Sequence, residues 1–315
     1  MSRAATCEVS VVVPVYGGEA TVAELAQGLA AALRDRDWEL LFVCDRPRDG
    51  SWAQVQKLAA ENPRVRALLF RRNYGQHPAL LCGIRLARGR TVVTMDEDLQ
   101  HNPADVPALV AVAEQEQALV YGVSAELHHG GFRNLSSRLL KRFLASYLGV
   151  DFGRNMSAFR AFPSQAREAF ADYRSAMVAI DVLLSWAALP VRALPCAHAP
   201  RRAGASGYTF AKLMKLMGDV VLGFSVAPLR LATWAGLAAM LGAFALAAVV
   251  GLNWLLHGSA VPGFAFLGLA VTLLGGVQLL ALGLLGEYLG RLYGSALGRP
   301  QYLVAERTWR EPEAR

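Results

Sequence analysis

The sequence predicts an α/β protein: a mostly parallel sheet with helices on both faces, followed by a C-terminal pair of transmembrane helices. Three observations carry this. Short, continuous apolar runs alternate with helical periodicity from Glu8 to Val123. Each of these runs ends abruptly in polar residues. Two long uncharged stretches, Leu231 to Leu256 and Phe264 to Gly286, lie in the last third of the chain.

The run "EVSVVVPVY" (Glu8 to Tyr16) reads as a buried strand stopped by a proline. From Thr21 to Leu33, Val22, Leu25, Ala26, Leu29 and Leu33 recur at helical spacing, with Thr21 placed as the cap. "WELLFVCD" (Trp38 to Asp45) is a second strand, Trp52 to Ala60 a short helix, and "VRALLF" (Val65 to Phe70) a third strand. A helix from about His77 to Ala87 precedes a fourth strand, Thr91 to Met95. A further helix covers about Ala104 to Glu114, and Ala118 to Val123 is a fifth strand. Strands this uniformly apolar are covered on both faces, which is the habit of parallel sheets.

Each uncharged stretch in the last third exceeds the ~20 residues that cross a bilayer core. Arg230 precedes the first, and Arg291 and Arg299 follow the second. The positive-inside rule then puts both ends in the cytoplasm. Gly268, Gly275, Gly276 and Gly283 suit close helix packing, within the hairpin or between subunits of a homo-oligomer. The expected domains are therefore a soluble unit over 1–208, interfacial helices over 209–230, two spans within 231–286, and a tail over 287–315. Phe210 to Leu222, with Lys212 and Lys215, reads equally as an interfacial helix or a core-facing one.

Composition agrees with this division. Hydrophobic residues make up 54%, mean hydropathy is +0.30, net charge is +7 and pI is about 9.5. The basic balance suits an anionic membrane surface better than nucleic acid, given where the apolar residues sit. Cys7, Cys44, Cys82 and Cys196 have no metal-ligand or disulfide spacing. No apolar leader with a cleavage site opens the chain, so the first unit is expected to stay cytoplasmic.

The chemistry concentrates at the strand ends: Tyr16 to Glu19, Asp45, Arg71 to Gly75, and Asp96 to Gln100. Open α/β sheets bind ligands at that edge. No G-x-G-x-x-G follows the first strand and no Walker A segment is present, which disfavours a dinucleotide dehydrogenase or a P-loop ATPase. In "TMDEDLQHNP" two carboxylates are separated by one residue. Such a pair suits a hard divalent cation, Mg²⁺ or Mn²⁺, that shares its shell with phosphates. A solvated acidic turn is the competing reading of that segment alone. His101 reads as a surface histidine, and His128 and His129 as part of a loop near the mouth.

Seven segments, "VSVVVPVYGGEATV", "FVCDRPRDGSW", "RRNYGQHPALLCGIRLARG", "VVTMDEDLQHNP", "SAFRAF", "RRAGASGY" and "GLLGEYLGRLYG", fall in the order and spacing of a known family. The chain resembles the family-2 glycosyltransferases that load a sugar onto a polyprenyl phosphate, of the dolichol-phosphate mannosyltransferase type. Within them it is most similar to the undecaprenyl-phosphate aminoarabinose (4-deoxy-4-formamido-L-arabinose) transferases. The resemblance implies a GT-A domain and inverting transfer from a nucleotide sugar, a UDP-sugar in the bacterial subgroup, at the cytoplasmic face of the inner membrane. It implies that Pro14, Tyr16, Glu19 and Asp45 line the nucleotide pocket. Asp96 and Asp98 would hold the metal and diphosphate, with Asp98 the direct ligand, and Gln100 would lie near the donor sugar or acceptor phosphate. Arg160, and Arg201 with Ser206, would grip phosphate, for which the guanidinium fork is suited.

The chain departs from its relatives at several places. Gly17 stands for Asn, "CDRPRDGS" for the usual "DDGS" pattern, Asn102 for a proline, Arg154 or Asn155 for an acid, and Gly207 for a lysine. Asp151 and Asp181 are the alternative acids, and Arg202 and Lys212 the alternative cations. A processive polysaccharide synthase of the same fold and a non-catalytic membrane scaffold are the competing readings. The first is disfavoured because no Q-x-x-R-W motif is present.

Overall fold

The computed structural model describes residues 7–124, 157–175, 177–197, 227–257 and 263–309. The chain divides into two compact units, 1–206 with 299–315, and 207–298.

The first unit is an eight-stranded sheet flanked by helices. Its elements are β1 (Cys7–Val15), α1 (Val22–Ala32), β2 (Trp38–Cys44), α2 (Ser51–Glu61), β3 (Val65–Phe70), α3 (Gln76–Leu86), β4 (Gly89–Thr94), α4 (Val106–Glu116), β5 (Leu119–Ser124), β6 (Arg160–Pro163), α5 (Ile180–Ser185), β7 (Val191–Cys196) and β8 (Val304–Arg307). The strand order is β7-β5-β6-β4-β1-β2-β3-β8. The five strands expected from the sequence form at those places, and β1 to β4 are parallel. The alternation of the pleat splits the core. Val9, Val11, Val13 and Val15 of β1 pack towards α1 and α4. Val12, with Leu41 and Val43 of β2, packs towards α3. Both faces are therefore dry, and the strands read as continuous apolar runs.

Three strands were not anticipated. β6 runs antiparallel between β4 and β5, and β7 adds to β5 in parallel. β7 is mostly exposed and carries Pro195, which an edge strand tolerates. β8 pairs antiparallel with β3. Within the range expected as a tail, 287–315, the chain rejoins the first unit at Arg299 and β8 lies along the sheet edge. Trp309 then lies against the Arg66 guanidinium, 4.0 Å from ring centre to carbon.

The rear of the sheet, at the start of the strands, is locked by a buried polar network. Ser10 Oγ donates to Glu39 Oε1 at 2.6 Å, Arg66 Nη1 to Glu39 Oε2 at 2.8 Å, and the Gly89 amide to Ser10 Oγ at 2.7 Å. The charge of Glu39 is thus matched inside the fold, as a buried carboxylate requires.

The second unit contains two long helices that touch each other, α6 (Ala227–His257) and α7 (Phe264–Ala296). α6 covers the first uncharged stretch, and α7 begins with the second and runs on to Ala296. Among the described residues, however, no helix is long and apolar enough to cross a membrane. The spanning hairpin is therefore not established by the fold. A Cβ placed at Gly275, Gly276 or Gly283 would meet nothing within 4 Å. Among the described residues these glycines do not serve close packing of α6 on α7.

At Gly83 the opposite holds. A Cβ there would lie 2.2 Å from Val12 Cγ1 and 3.2 Å from Val43 Cγ2, so α3 approaches the sheet through this glycine. Both neighbours are β-branched and stiff. Gly83→Ala is expected to destabilise the first unit by about 1–3 kcal/mol through overpacking, read as a lowered midpoint in chemical denaturation. An unchanged midpoint would show that α3 slides freely.

Candidate active site

The site begins with a missing hydrogen-bond donor. The β1–β4 ladder runs as far as Val12 opposite Thr94, where the Met95 amide donates to Val12 O at 3.3 Å. The next rung of a parallel ladder would take its N–H from position 14, and Pro14 has none. β1 continues beside β2 to Val15 opposite Cys44. Thus β1 and β4 part at their carboxyl ends while β1 and β2 stay joined. The connection from β1 runs to β2 on one side, and β4 lies on the other, so the parting falls at a switch point of the sheet. Pro14 itself is buried in the strand; it shapes the crevice and is not an exposed wall of it.

Four loops end at this edge, and side chains tie each to the next. Across the parting, Glu97 Oε1 accepts the amides of Tyr16 at 3.2 Å and Gly17 at 3.4 Å. The loop after β1 is joined to the loop after β2 by three bonds. Gly50 N donates to Glu19 Oε2 at 2.9 Å, Glu19 N to Asp49 Oδ2 at 3.3 Å, and Gly18 N to Ser51 Oγ at 3.0 Å. From the end of β2, Asp45 reaches the loop after β3, accepting Tyr74 N and Gly75 N at 2.7 Å each. Gly75 has φ 97°, a conformation costly for any other residue. Finally, Gln76 Nε2 donates to Asp96 Oδ1 at 2.6 Å, returning to the loop after β4. The circuit closes.

Two expected nucleotide contacts take part in this circuit. Asp45 is buried, with both oxygens on backbone amides. Its burial pushes the carboxyl pKa up, against the lowering by those two bonds. Glu19 holds Gly50. Both are placed at the edge as the sequence implies, and both hold loops together. Tyr16 is exposed beside the parting, 48% of its surface free, with its ring available to stack.

Asp96, Glu97, Asp98 and Gln100 are each partly buried. Leu99 turns left-handed, φ 59°, which brings the Gln100 amide back onto Asp98 Oδ1 at 3.2 Å. Asn102 accepts the Ala104 amide at 3.0 Å and caps the short turn Pro103–Asp105 that leads into α4. His101 lies against Phe159, with ring centres 5.1 Å apart. Among the described residues no group of three or more His, Cys, Asp or Glu side chains is arranged to hold a metal. Asp96 and Asp98 nevertheless fit one kind of ion: a hard cation that takes one or two carboxylates and completes its shell with phosphate oxygens and water.

Arg160 has an internal partner. Its place on β6, opposite Thr94, puts it near the end of β4. There it is buried, and its Nη1 forms an ion pair with Asp181 of α5. Tyr121 Oη donates to the same carboxylate at 2.8 Å. The guanidinium expected to grip phosphate is committed to this internal pair, and Asp181, one alternative acid, is committed with it. Removing one partner of such a pair typically costs about 3–5 kcal/mol. Arg201, Ser206, Asp151, Arg154, Asn155, Arg202, Gly207, Lys212, His128 and His129 lie outside the described residues.

His77, in the first turn of α3, faces this pair, and its Nδ1 accepts the Ile180 amide at 3.4 Å. Burial lowers its pKa from 6.5, Asp181 raises it and Arg160 lowers it, with a net fall. The unfolded chain therefore protonates first as pH drops. The contribution of neutral His77 is full above pH 6.5 and is lost progressively below it. Denaturation midpoints measured between pH 5 and 8 should fall less steeply on the acid side for His77→Gln than for the wild type. Parallel profiles would show that His77 does not titrate with folding.

With this geometry in view, the comparisons identify the class. Residues 10–174 match the model of glycosyl transferase family 2, and the chain belongs to that family. Its Rossmann-like core is the GT-A fold. Glucosyl-3-phosphoglycerate synthase from Mycobacterium tuberculosis, solved with Mn²⁺, UDP and phosphoglyceric acid, superposes with a TM-score of 0.50 at 17% identity. The match covers 69% of this chain and 77% of that one.

Among whole-length relatives, the chain is similar to undecaprenyl-phosphate 4-deoxy-4-formamido-L-arabinose transferases. It is 36% identical to that of Pseudomonas aeruginosa strain PAO1 over 302 residues, covering 94% of this chain and 89% of the relative. It is 33% identical to that of Photorhabdus laumondii over 303 residues, covering 94% and 93%. The chain is a family-2 glycosyltransferase.

Proposed function

We propose that this transferase moves a sugar from a nucleotide sugar, a UDP-sugar, onto undecaprenyl phosphate at the cytoplasmic face of a bacterial inner membrane. The observation that carries this is the parting of β1 and β4 with Asp96 and Asp98 at its mouth. Relatives that match across almost the whole chain are transferases to undecaprenyl phosphate by name. The fold neighbour holds Mn²⁺ and UDP.

Asp96 and Asp98 are the residues to hold Mg²⁺ or Mn²⁺, Asp98 directly. When bound, the cation offsets the charge that develops on the departing diphosphate. Tyr16 offers its ring to the base, and the tied loops fix the distance between base and acid pair. Gln100 lies where the donor sugar or acceptor phosphate approaches. Arg201 and Ser206 are the residues we assign to phosphate, while Arg160 stands beside the end of β4 in its pair with Asp181.

The acceptor nucleophile is a phosphate oxygen, whose second pKa is about 6 by analogy with phosphorylated side chains. It arrives ionised, so this chain needs no strong base, and inversion follows from direct attack opposite the leaving group. The work left to the protein is positioning and charge stabilisation.

Residues 207–298 supply the membrane part of the proposal. The chain leaves the first unit after Ser206 and re-enters it at Arg299. A membrane excursion between those points must cross an even number of times. α6 and α7 run for 31 and 33 residues. They expose large apolar side chains, among them Trp234, Phe244, Leu255 and Leu279. We assign them as a hairpin with both ends cytoplasmic, in contact with membrane lipids.

Two outcomes are expected. Purified protein with undecaprenyl phosphate, Mn²⁺ or Mg²⁺ and a panel of labelled UDP- and GDP-sugars should move label from one donor into the lipid phase. Asp98→Asn should lower that rate at least about a hundredfold, ~2.7 kcal/mol in barrier. Transfer undiminished in Asp98→Asn would remove the acid pair from the mechanism. In membranes washed with alkaline carbonate, the full chain should stay in the pellet. Release into the supernatant would remove the hairpin.

A further inference from the structure

The D-x-D pattern accounts for Asp96 and Asp98 and leaves the residue between them without a role. Glu97 nonetheless makes the bonds that cross the parting of β1 and β4. Its Oε1 accepts two consecutive amides, Tyr16 N at 3.2 Å and Gly17 N at 3.4 Å. The contact continues along its stem: a Cβ at Gly18 would lie 3.0 Å from Glu97 Cγ and 2.9 Å from Val22 Cγ1. The loop after β1 therefore lies flush on the Glu97 side chain, and Gly18 permits that approach.

The placement matters because the backbone ladder that would otherwise hold these loops together stops at Val12 and Met95. Beyond that point the sheet is open, as a ligand crevice requires. A crevice left open would also let its two walls move independently. One wall carries Tyr16 and the other carries Asp96 and Asp98. A nucleoside diphosphate touches both at once, base on one side and diphosphate on the other.

We propose that Glu97 is a positioning residue of the donor site, holding the Tyr16 loop in fixed register with the Asp96 and Asp98 pair. The proposal rests on the nucleotide-sugar reading above. Glu97 touches no reacting atom; it acts through the backbone of Tyr16 and Gly17. A carboxylate suits the task because it accepts several N–H bonds at once, and charge-assisted bonds are the stronger kind. The same device recurs at Asp45 with Tyr74 and Gly75, two strand pairs further along.

The test uses the full-length protein in detergent, with UDP plus Mn²⁺ as the probe, and the variants Glu97→Ala and Glu97→Gln. Hydrogen exchange followed by mass spectrometry reads the segment 14–19, and calorimetry reads UDP affinity. Glu97→Ala should speed exchange in that segment at least about tenfold, leave β2 and β3 unchanged, and weaken UDP at least about tenfold. Glu97→Gln keeps an acceptor oxygen and should recover most of both losses. Unchanged exchange in Glu97→Ala would overturn the proposal, because the loop would then be held by something else. Faster exchange with unchanged UDP affinity would also overturn it, since the pin would not serve the donor. Wild-type protein that binds no UDP would sink the nucleotide-sugar reading and the donor half of this proposal. The exchange result would still decide whether Glu97 holds the loop.

Discussion

The arrangement of the site depends on one absent hydrogen bond. In a parallel sheet each strand donates and accepts at regular intervals, and proline removes a donor. At position 14 that loss falls between β1 and β4 and not between β1 and β2. The sheet therefore stays whole on one side and opens on the other, and the acidic loop after β4 stands at the opening. Placed in the middle of a paired strand, a proline is a defect. Placed where the ladder has to end, it determines where the crevice starts.

The opening is then bridged by side chains. Carboxylates serve this purpose because each offers two oxygens to the backbone amides of loops, which lack partners of their own. Glu97, Glu19, Asp49 and Asp45 all act in this way, and Gln76 closes the circuit by donating to Asp96. The high count of acids at this edge thus has two causes. Asp96 and Asp98 suit a cation and phosphates, while the others keep the loops in register. Burial raises the pKa of Asp45 and Glu97, and the backbone bonds lower it; burial is the larger effect at both. The price of that register is paid in desolvated carboxylates.

Much of this was legible in the sequence, and the reasons differ by element. β1 to β5 were readable because strands covered on both faces are unbroken apolar runs. β6 is four residues long and begins with an arginine, β7 contains a proline, and β8 reads "VAER"; none carries a strand pattern of its own. Each is defined by the edge it joins. The location of Asp96 and Asp98 was legible from the strand that precedes them. The duties of Asp45 and Glu19 were not, because their partners are backbone amides some 30 residues away, which no side-chain motif reveals. The pairing of Arg160 was hidden for a similar reason: its partner Asp181 lies on a later helix. Glu97 carried a signal that was available, a third acid where the metal reading needed two.

The central claim is that nucleotide and cation meet in the parting of β1 and β4. Crystals of the protein grown with UDP and Mn²⁺ test it most directly, using anomalous scattering to place the metal. The account predicts one strong Mn²⁺ peak within coordination distance of Asp98, shared with the diphosphate, and the uracil ring beside Tyr16. A metal peak elsewhere on the sheet, with UDP bound away from Pro14 and Asp98, would contradict it.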